Sequence, residues 1–524
     1  MLHADMIAPV PELLRRQAAA QGGKVAYRDA QGSVTYAQLD ARTARLAGHL
    51  ADLGVSPGDT VAMLLPNAVS WVETSFAITR AGALSVPISY ESTKPEIAYR
   101  LADADCKAIV TTAERAALVA KLRAGAPGLR IAILTDRGEA ADGLPDALRY
   151  ADLMAAPAKS APRDPADIHA PAYIVYTSGT TGRAKGVLLS VHGMLWIAAA
   201  CWRPILGLTP RDCVLSPLPL FHSYALNLSV LGILATGASE YIMERFSTAE
   251  AVRLLKSGEF TFFPGVPTMF HYLLQATQGE PSLKFPHLRV CMSAGAIMPA
   301  TLNRAFEERF GIPLLDGYGI TETSTMVTMN WPSGRRVPGS CGLPVPGLAV
   351  RIVDPASDQD VPPGREGELI VRGPNVMPGY HNKPEETAKA LRDGWYRTGD
   401  LAKSDENGFL TITGRLKELI IRGGQNIAPA EIEEVVNKFA PVLDCAVVGI
   451  AHEHLGEVPA LFVVPRPGAE IAVDALLAHC RENLSAYKIP HSVHMIAEIP
   501  RTGSGKIIRY KLRESLTASE RRAD

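Results

Sequence analysis

The 524-residue sequence lacks the features that mark several large classes of protein. It has only seven cysteines, which are scattered and include no CxxC pair. This argues against a disulfide framework or a zinc site and favours a reducing, cytoplasmic compartment. No run of 18 apolar residues occurs, so we expect no membrane span. The opening residues, MLHADMIAPVPELLRRQ, lack the unbroken apolar core of a signal peptide.

Strong charge of either sign is also missing. Lysine and arginine total 53 against 54 aspartate and glutamate, which gives a net charge of −1. Because no basic run of five or more residues is present, we expect no nucleic-acid partner. Hydrophobic residues make up 47% of the chain, as in globular proteins with large cores. The length predicts about three or four folding units.

Short Val/Ile/Leu runs alternate along the chain with alanine-rich runs. Thr60–Leu65 predicts a buried strand and Trp71–Ala81 the helix after it. Further strands are predicted at Ala108–Thr111 and Arg130–Leu134. Strands that alternate with helices indicate an α/β fold with largely parallel sheets.

Changes in composition suggest where the chain divides. Ala155–Ala170 is rich in proline and alanine and predicts a surface linker, and the Gly/Pro-rich stretch Arg335–Glu368 predicts a small β subdomain. The best domain boundary lies near Gly414–Lys417. Two helices and a strand are predicted beyond it, at Ala430–Lys438, Asp474–Asn483 and Cys445–Gly449.

The segment most typical of a ligand site is a polar loop after the apolar strand Tyr173–Tyr176. Its glycines allow tight turns with inward amide groups, and its hydroxyls add neutral donors. Lys185 adds a positive charge suited to a β- or γ-phosphate. The loop is not a Walker A motif, because Gly186 follows the lysine where that motif has Ser or Thr. The predicted phosphate-binding positions are Thr177, Ser178, Gly179, Thr180, Thr181, Gly182 and Lys185.

Six further segments follow or accompany this loop in order: PLPLFHSYALN (217–227), SAGAIMP (293–299), DGYGITETS (316–324), YRTGD (396–400), GRLKELIIRGGQNIAPAEIE (414–433) and PRTGSGKIIR (500–509). With the loop YTSGTTGRAKGV, they resemble the motifs of the ANL superfamily of adenylate-forming enzymes. That superfamily includes acyl- and aryl-CoA synthetases, peptide-synthetase adenylation domains and luciferases. The resemblance covers essentially the whole chain.

The resemblance implies a fold and a domain division. We expect a large N-terminal AMP-binding domain over residues 1–414, built of α/β sheet subdomains and a small β-barrel subdomain. Residues 415–417 would form a hinge, and residues 418–524 a small mobile α+β C-terminal domain. Such an enzyme is expected to turn between two half-reactions by rotating this domain about Lys417.

The resemblance also implies the chemistry and its cofactors. A carboxylate attacks the α-phosphate of ATP to give acyl-AMP and pyrophosphate, and the thiol of CoA then displaces AMP. By resemblance, Glu322 binds Mg²⁺, Thr321 donates to the α-phosphate, and Lys506 bridges the carboxylate and the α-phosphate. Lys185 would hold the leaving pyrophosphate. His222 would lie at the substrate entrance, although a lone histidine is more often structural.

The remaining implied contacts fall into three groups. The adenine would lie among Gly295, Ala296, Gly317, Tyr318 and Gly319, and Asp316 is a further cofactor-binding position. Asp400 would accept both ribose hydroxyls, and Arg415 would also reach the ribose. The thiol tunnel would be lined by Arg422, Gly424 and Asn426. The usual Gly-Ala-Pro of the adenine turn is Gly-Ala-Ile in this chain.

The expected acyl pocket is neutral and mostly apolar, with Tyr224, Leu226, Leu228, Val266, Met292, Thr325, Met326 and Met329. No arginine for a second carboxylate and no aspartate for an ammonium group appear in these segments, so we expect an apolar monocarboxylate. A medium- or long-chain fatty acid is the first expectation, because methionines suit a flexible chain. An arylpropenoate is the alternative, since FHSYALN resembles 4-coumarate–CoA ligases.

Three questions stay open from the sequence. The acyl group could pass to an acyl carrier protein instead of CoA, and dimers are common in the family. A catalytically silent protein of the same fold would be expected to lose Glu322, Asp400 or Lys506, and all three are present.

Overall fold

The computed structural model describes residues 2–136, 144–177, 184–423, 425–501 and 507–520, without the side chains of residues 426 and 517–520. The chain divides into two compact units. The first comprises Met1–Pro338, Gly342–Ala349 and Arg372–Tyr396. The second comprises Gly339–Cys341, Val350–Val371 and Arg397–Asp524.

The first unit contains an eight-stranded sheet whose central strands are parallel. Its apolar strands are buried on both faces, as is typical of parallel sheets covered by helices. The predicted α/β arrangement is confirmed, and the strands predicted at Thr60–Leu65, Ala108–Thr111 and Arg130–Leu134 are found within one residue of their bounds. In spatial order the strands are Gly379–Tyr380, Lys185–Ser190, Pro171–Thr177, Leu84–Pro87, Thr60–Leu64, Ala108–Thr111, Ile131–Leu134 and Leu148–Arg149.

A nine-stranded sheet completes the first unit, and its central strands are also parallel. One hydrophobic cluster contains residues of both sheets, including Tyr173 and Phe262. In spatial order the strands are Leu343–Pro344, Thr328–Met329, Leu314–Tyr318, Val290–Ser293, Phe262–Gly265, Cys213–Ser216, Ser239–Ile242, Val25–Arg28 and Ser33–Thr35. A further short strand, Leu391–Arg392, pairs with Trp395 and Tyr396.

The helices of the first unit begin and end at recognisable signals. Thr35 and Gln38 form a capping box at the start of Tyr36–Asp52, and Gly311 ends Ala300–Phe310 with φ 69°. The α-helices are Val10–Gln21, Tyr36–Asp52, Val69–Arg80, Lys94–Asp103, Ala113–Arg123, Tyr150–Ala155, Val191–Ile197, Ser223–Ala225, Ile233–Thr236, Thr248–Lys256, Pro267–Ala276, Ala300–Phe310 and Pro384–Ala390. The π-helical stretches are Ala198–Trp202 and Leu226–Gly232, and the 3₁₀ turns are Ala4–Met6 and Thr321–Thr323.

Of the predicted linker Ala155–Ala170, residues 156–170 contain no helix or strand, whereas Ala155 is the last residue of the helix Tyr150–Ala155. None of the described helices is both long and apolar enough to cross a membrane.

The second unit is built mainly of antiparallel strands. Four lie in one sheet: Ala349–Val353, Gly367–Arg372, Trp395–Ser404 and Leu410–Arg415. Five lie in another: Gln425–Ile427, Ile420–Arg422, Gly456–Pro465, Val442–His452 and Ser492–Met495. The helices are Pro429–Val436, Val473–Asn483 and Arg509–Glu520, with 3₁₀ turns at Leu416–Glu418 and Ala486–Lys488.

The two helices predicted in the C-terminal region are confirmed within two residues of their bounds. The predicted strand Cys445–Gly449 is longer than expected and spans Val442–His452. It pairs with Gly456–Pro465 over almost its whole length, which the local sequence pattern does not reveal.

Candidate active site

The predicted phosphate loop joins two neighbouring strands of the eight-stranded sheet. Thr177 ends one strand and lies directly opposite Lys185, which begins the next. The two ends of the loop are therefore held together by the sheet. The loop positions between them, Ser178, Gly179, Thr180, Thr181 and Gly182, lie outside the described residues.

The side chain of Lys185 lies in a set of charged and aromatic groups. Its Nζ forms an ion pair with Glu386 on the helix Pro384–Ala390. The same Nζ is 4.9 Å from the centroid of the Tyr380 ring, within range of a cation–π contact. The hydrogen bond from Lys185 lowers the pKa of the Glu386 carboxyl. The ammonium group that would meet a phosphate is thus paired with a carboxylate.

Glu322 is held by its main chain and by its carboxylate. The Tyr380 hydroxyl donates to Glu322 Oε1 at 3.0 Å, and the Met377 amide donates to the Glu322 carbonyl at 2.8 Å. Burial, with the nearby Glu322 carboxylate, raises the pKa of Tyr380, so its hydroxyl stays a donor. Tyr380 therefore contacts both the predicted phosphate lysine and the predicted metal ligand.

Sequence reasoning missed Tyr380 and Glu386. Tyr380 lies in the segment GPNVMPGY between two recognised motifs, and Glu386 is one of several acidic residues on a short helix. Neither has a spacing that indicates a ligand. The antiparallel pairing of Gly379 with Leu188 and of Tyr380 with Val187 brings this segment to the strand that follows the phosphate loop.

Thr321 and the segment after His222 meet in the interior. Thr321 Oγ1 is 3.0 Å from Ser223 Oγ, and both residues are buried. His222 stands at the start of the helix that carries Ser223, and its Nδ1 accepts a hydrogen bond from the Tyr224 amide at 3.3 Å. His222 thus has a capping role in addition to the substrate-side role predicted for it.

Three parallel strands of the nine-stranded sheet end side by side next to the predicted adenine segments. Gly265, Ser293 and Asp316 are in register across these strands. Ligands of open α/β sheets bind at the carboxyl ends of the strands. Burial raises the pKa of Asp316, which favours its neutral form.

The glycines of this region allow close contacts. Gly295 has φ +85°, a conformation that other residues rarely adopt, and it precedes Ala296 in the predicted adenine turn. A Cβ atom at Gly317 would lie 2.5 Å from Met326 Cε. A Cβ atom at Gly319 would lie 1.5 Å from the Thr325 carbonyl oxygen. Main-chain packing therefore requires glycine at position 319, whereas the atoms nearest to Gly317 belong to flexible methionine side chains.

The predicted acyl-pocket residues are buried. Six of those predicted to line the pocket belong to one hydrophobic cluster, namely Tyr224, Leu226, Leu228, Met292, Met326 and Met329. Val266 is also buried and lies 3.8 Å from the Cβ position of Gly295. Leu226 and Leu228 belong to a π-helical stretch, a feature frequent at functional sites. The hydroxyls of Tyr224 and Ser293 are buried without a hydrogen-bond partner among the described residues.

In the second unit, Asp400 and Arg415 lie opposite each other on antiparallel strands. Arg415 Nε is 2.7 Å from Asp400 Oδ1. Lys417 follows in the 3₁₀ turn Leu416–Glu418. The predicted hinge residue is therefore two positions beyond the predicted ribose contact, where the regular strand has ended.

The predicted thiol and lysine segments are partly described. Arg422 Nη1 donates to the Tyr487 carbonyl at 2.7 Å, and Asn426 lies on the strand opposite Ile421. Gly424, the Asn426 side chain and Lys506 lie outside the described residues. The ends of the segment containing Lys506 are paired, because Arg501 forms an antiparallel bridge with Ile507.

Beyond this bridge, Arg509 anchors the last helix. Its guanidinium group bonds Glu418 at 3.0 Å, Glu433 at 2.6 Å and the Val447 carbonyl at 2.8 Å. Arg509 closes the motif that carries Lys506, so the anchor fixes one end of the lysine segment within this unit.

A magnesium ion fits the donor set around Glu322. Mg²⁺ is usually bound through one or two carboxylates together with substrate phosphates, and not by an all-protein cage. Within the described residues no group of three or more His, Cys, Asp or Glu side chains could hold a metal. The single carboxylate of Glu322, linked through Tyr380 to Lys185, matches a metal that reaches the protein with its phosphates.

Comparison with known proteins gives consistent matches along the chain. The sequence profile of the family described as AMP-binding enzyme matches residues 14–381, and that of the AMP-binding enzyme C-terminal domain matches residues 431–506. A feruloyl-CoA synthase of Amycolatopsis sp is 36% identical over 504 residues, covering 95% of this chain and 97% of that protein. A long-chain-fatty-acid–CoA ligase of Yersinia pestis is 35% identical over 537 residues, covering 97% and 95%.

A solved structure has the same fold. ATP-bound MatB from Rhodopseudomonas palustris superposes with a TM-score of 0.87 at 32% identity, covering 96% of this chain and 98% of that one.

Proposed function

Because the chain belongs to the AMP-binding enzyme family, we propose that it is an ATP-dependent acid–thiol ligase that activates an apolar monocarboxylate and transfers it to CoA. The acid attacks the α-phosphate of ATP, which gives acyl-AMP and pyrophosphate. The CoA thiol then attacks the acyl carbon and releases AMP. We further propose that an acyl carrier protein could replace CoA as the acceptor, which competition with CoA would test. We also propose that the protein assembles as a homodimer, which its mass in solution would test.

One observation carries this proposal. Tyr380 donates a hydrogen bond to Glu322 and lies beneath the ammonium group of Lys185. Adenylation gathers several negative charges in one place, so it requires cations and oriented donors. Glu322 would hold Mg²⁺, which neutralises phosphate charge when bound. Lys185 would exchange its ion pair with Glu386 for one with the leaving pyrophosphate.

The other predicted site residues have proposed roles in one of the two half-reactions. Thr321, oriented by Ser223, donates to the α-phosphate. Asp400 accepts the ribose hydroxyls while Arg415 fixes its carboxylate. Lys506 bridges the acid and the α-phosphate. The second half-reaction turns on Lys417 and brings the predicted thiol residues to the acyl-AMP.

We propose a medium- or long-chain fatty acid as the substrate. Its support is the neutral, buried set of predicted pocket residues, which offers no cation to a second carboxylate. A relative of this chain is a long-chain-fatty-acid–CoA ligase.

An aromatic acid is the second candidate, and a specific observation favours it. The Tyr224 and Ser293 hydroxyls are buried and find no hydrogen-bond partner in the described part of the chain, and an unpaired buried hydroxyl is costly unless a ligand pairs with it. A hydroxylated arylpropenoate would supply that partner. The relatives include a feruloyl-CoA synthase and an indoleacetate–CoA ligase.

A panel of acids tests the proposal directly. Fatty acids of increasing length and hydroxylated and plain arylpropenoates are incubated with ATP, Mg²⁺ and CoA, and the thioester is read by mass spectrometry. We expect acid-dependent exchange of pyrophosphate into ATP and one preferred acyl-CoA. No exchange with any acid in the panel would refute adenylation.

Separate assays of the two half-reactions distinguish the proposed role of Lys506 from that of Lys417. Lys506→Ala is expected to abolish adenylation and to spare thioester formation from supplied acyl-AMP, whereas Lys511→Ala, on the exposed face of the last helix, leaves both. Lys417→Pro is expected to spare adenylation and block thiolation, because proline fixes φ. Lys417→Ala is its control, since alanine keeps the backbone free to rotate. Equal loss of both steps in either variant would contradict its role.

A further inference from the structure

The backbone directly after Glu322 is strained. Ser324 has φ +50° and Thr325 has φ +97°, although neither is a glycine. Both residues are buried, with exposures of 1% and 5%. Positive φ is a genuine outlier for a β-branched residue such as threonine, and it persists only where the surroundings enforce it.

Two asparagines supply hydrogen bonds to this turn. Asn375 Nδ2 donates to the carbonyl oxygens of Thr323 and Met326, each at 2.8 Å. Asn227 Nδ2 donates to the Ser324 carbonyl at 2.8 Å. Three of the four carbonyls from residue 323 to residue 326 are therefore bound by buried amide groups.

The orientation of Asn227 is fixed by its other partners. Its Oδ1 accepts from Trp202 Nε1 at 2.6 Å, and its Nδ2 also donates to the Met194 carbonyl at 3.0 Å. Both asparagines have zero exposure. An amide in this position can donate two hydrogen bonds and accept from the indole, which a carboxylate or an aliphatic side chain cannot do.

Two glycines, Gly319 and Gly193, leave the space that the turn occupies. The remaining carbonyl, of Thr325, occupies the space of a side chain at Gly319. Ser324 Oγ lies 3.0 Å from the Cβ position of Gly193. The turn is thus confined by contacts from three separate segments of the first unit.

We propose that Asn227 and Asn375 are positioning residues that hold the strained Ser324–Thr325 turn and thereby aim both halves of the adenylation site. The turn joins Glu322, the proposed metal ligand, to Met326, which is buried at the proposed acyl pocket. Release of the turn would move the metal ligand and the pocket wall together. The inference rests on the proposed function for its effect on the reaction, and on the contacts above for the turn itself.

The experiment compares two isosteric substitutions. Asn375→Asp replaces the donor nitrogen with an oxygen that faces two carbonyl oxygens. Asn303→Asp makes the same exchange at a half-buried asparagine whose Nδ2 donates to the Leu314 carbonyl at 2.7 Å, away from the turn. We expect Asn375→Asp to lower kcat/KM for the acid roughly 100-fold, the scale of a misplaced reacting group, with a raised KM for both the acid and MgATP. Asn303→Asp should leave these parameters unchanged.

Hydrogen exchange reads the turn without catalysis. The amides of Ser324, Thr325 and Val327 donate to Thr321, Ile320 and Tyr318, so Asn375→Asp should accelerate their exchange and Asn303→Asp should not. If wild type makes no thioester from any acid but this acceleration is seen, the proposed function is wrong, and the proposal that Asn375 holds the Ser324–Thr325 turn is still supported.

A glycine at the strained position provides a rescue. Thr325→Gly accepts φ +97° without strain, so the turn then depends less on the hydrogen bonds from Asn227 and Asn375. In that background the cost of Asn375→Asp should shrink, and a double variant should fold even if Asn375→Asp alone does not. Additive losses, an unfolded double variant, or equal exchange rates in Asn375→Asp and wild type would overturn the proposal.

Discussion

The side chain of Glu240 should make the first unit less stable as the pH rises. Glu240 lies on the strand Ser239–Ile242, is fully buried, and neither carboxyl oxygen has a hydrogen-bond partner among the described residues. The hydroxyls of the neighbouring Tyr27 and Tyr36 donate to main-chain carbonyls instead. Burial raises the pKa of Glu240 well above its ordinary value, and the nearby Ser229 hydroxyl offsets this only in part.

The sign and size of the effect follow from linkage. The folded protein keeps the Glu240 proton, whereas the unfolded chain releases it above a pKa of about 4.3. The stability contribution of the protonated group is therefore complete below that pH and is lost as the pH rises towards the folded pKa. The loss is about 1.4 kcal/mol per pH unit in that window. Glu240→Gln carries no such proton. The unfolding free energy of this variant, relative to that of wild type, should therefore rise by this amount per pH unit.

Tryptophan fluorescence isolates the relevant transition. All five tryptophans lie in the first unit, together with Glu240. Urea titrations of wild type and Glu240→Gln from pH 6 to pH 8 give the difference in unfolding free energy at each pH. Glu244→Gln, which removes an exposed carboxyl just beyond the same strand, controls for the loss of one charge. A difference between wild type and Glu240→Gln that is constant across this range would refute the buried, protonated carboxyl.

Three further predictions concern the site. Gly319→Ala should lower kcat/KM by more than about 100-fold, because its methyl group meets main-chain atoms; Gly279→Ala, which meets nothing within 4 Å, is the control. Tyr380→Phe should raise the Mg²⁺ concentration for half-maximal pyrophosphate exchange, because it removes a hydrogen bond to the Glu322 carboxylate and such bonds to charged groups are worth about 1.5–3 kcal/mol. An unchanged Mg²⁺ dependence would contradict the proposal that Tyr380 orients Glu322 for the metal. Asp400→Asn should raise KM for ATP more than KM for the acid, measured by exchange assays, and an equal rise in both would argue against ribose binding.

Local patterns were enough for the elements whose signals are short-range. The strands Thr60–Leu64, Ala108–Thr111 and Ile131–Leu134 are continuous apolar runs, and the sequence pattern located each within one residue. The π-helical stretch Leu226–Gly232 was not predicted, because its departure from α-helical bonding depends on packing and not on residue type. The strand Val442–His452 was predicted too short for a similar reason, since its length is set by its partner strand.

The sequence by itself determined the family, because the motifs from Thr177 to Lys506 are contiguous stretches with fixed residue types. It also predicted which residues would carry the chemistry of that family. The tertiary structure decided how those residues are held. Tyr380, Asn227 and Asn375 hydrogen-bond Glu322 or the turn after it from 49 to 97 positions away in the chain. A contact between distant segments depends on sheet register and core packing, and no local pattern of residues encodes it.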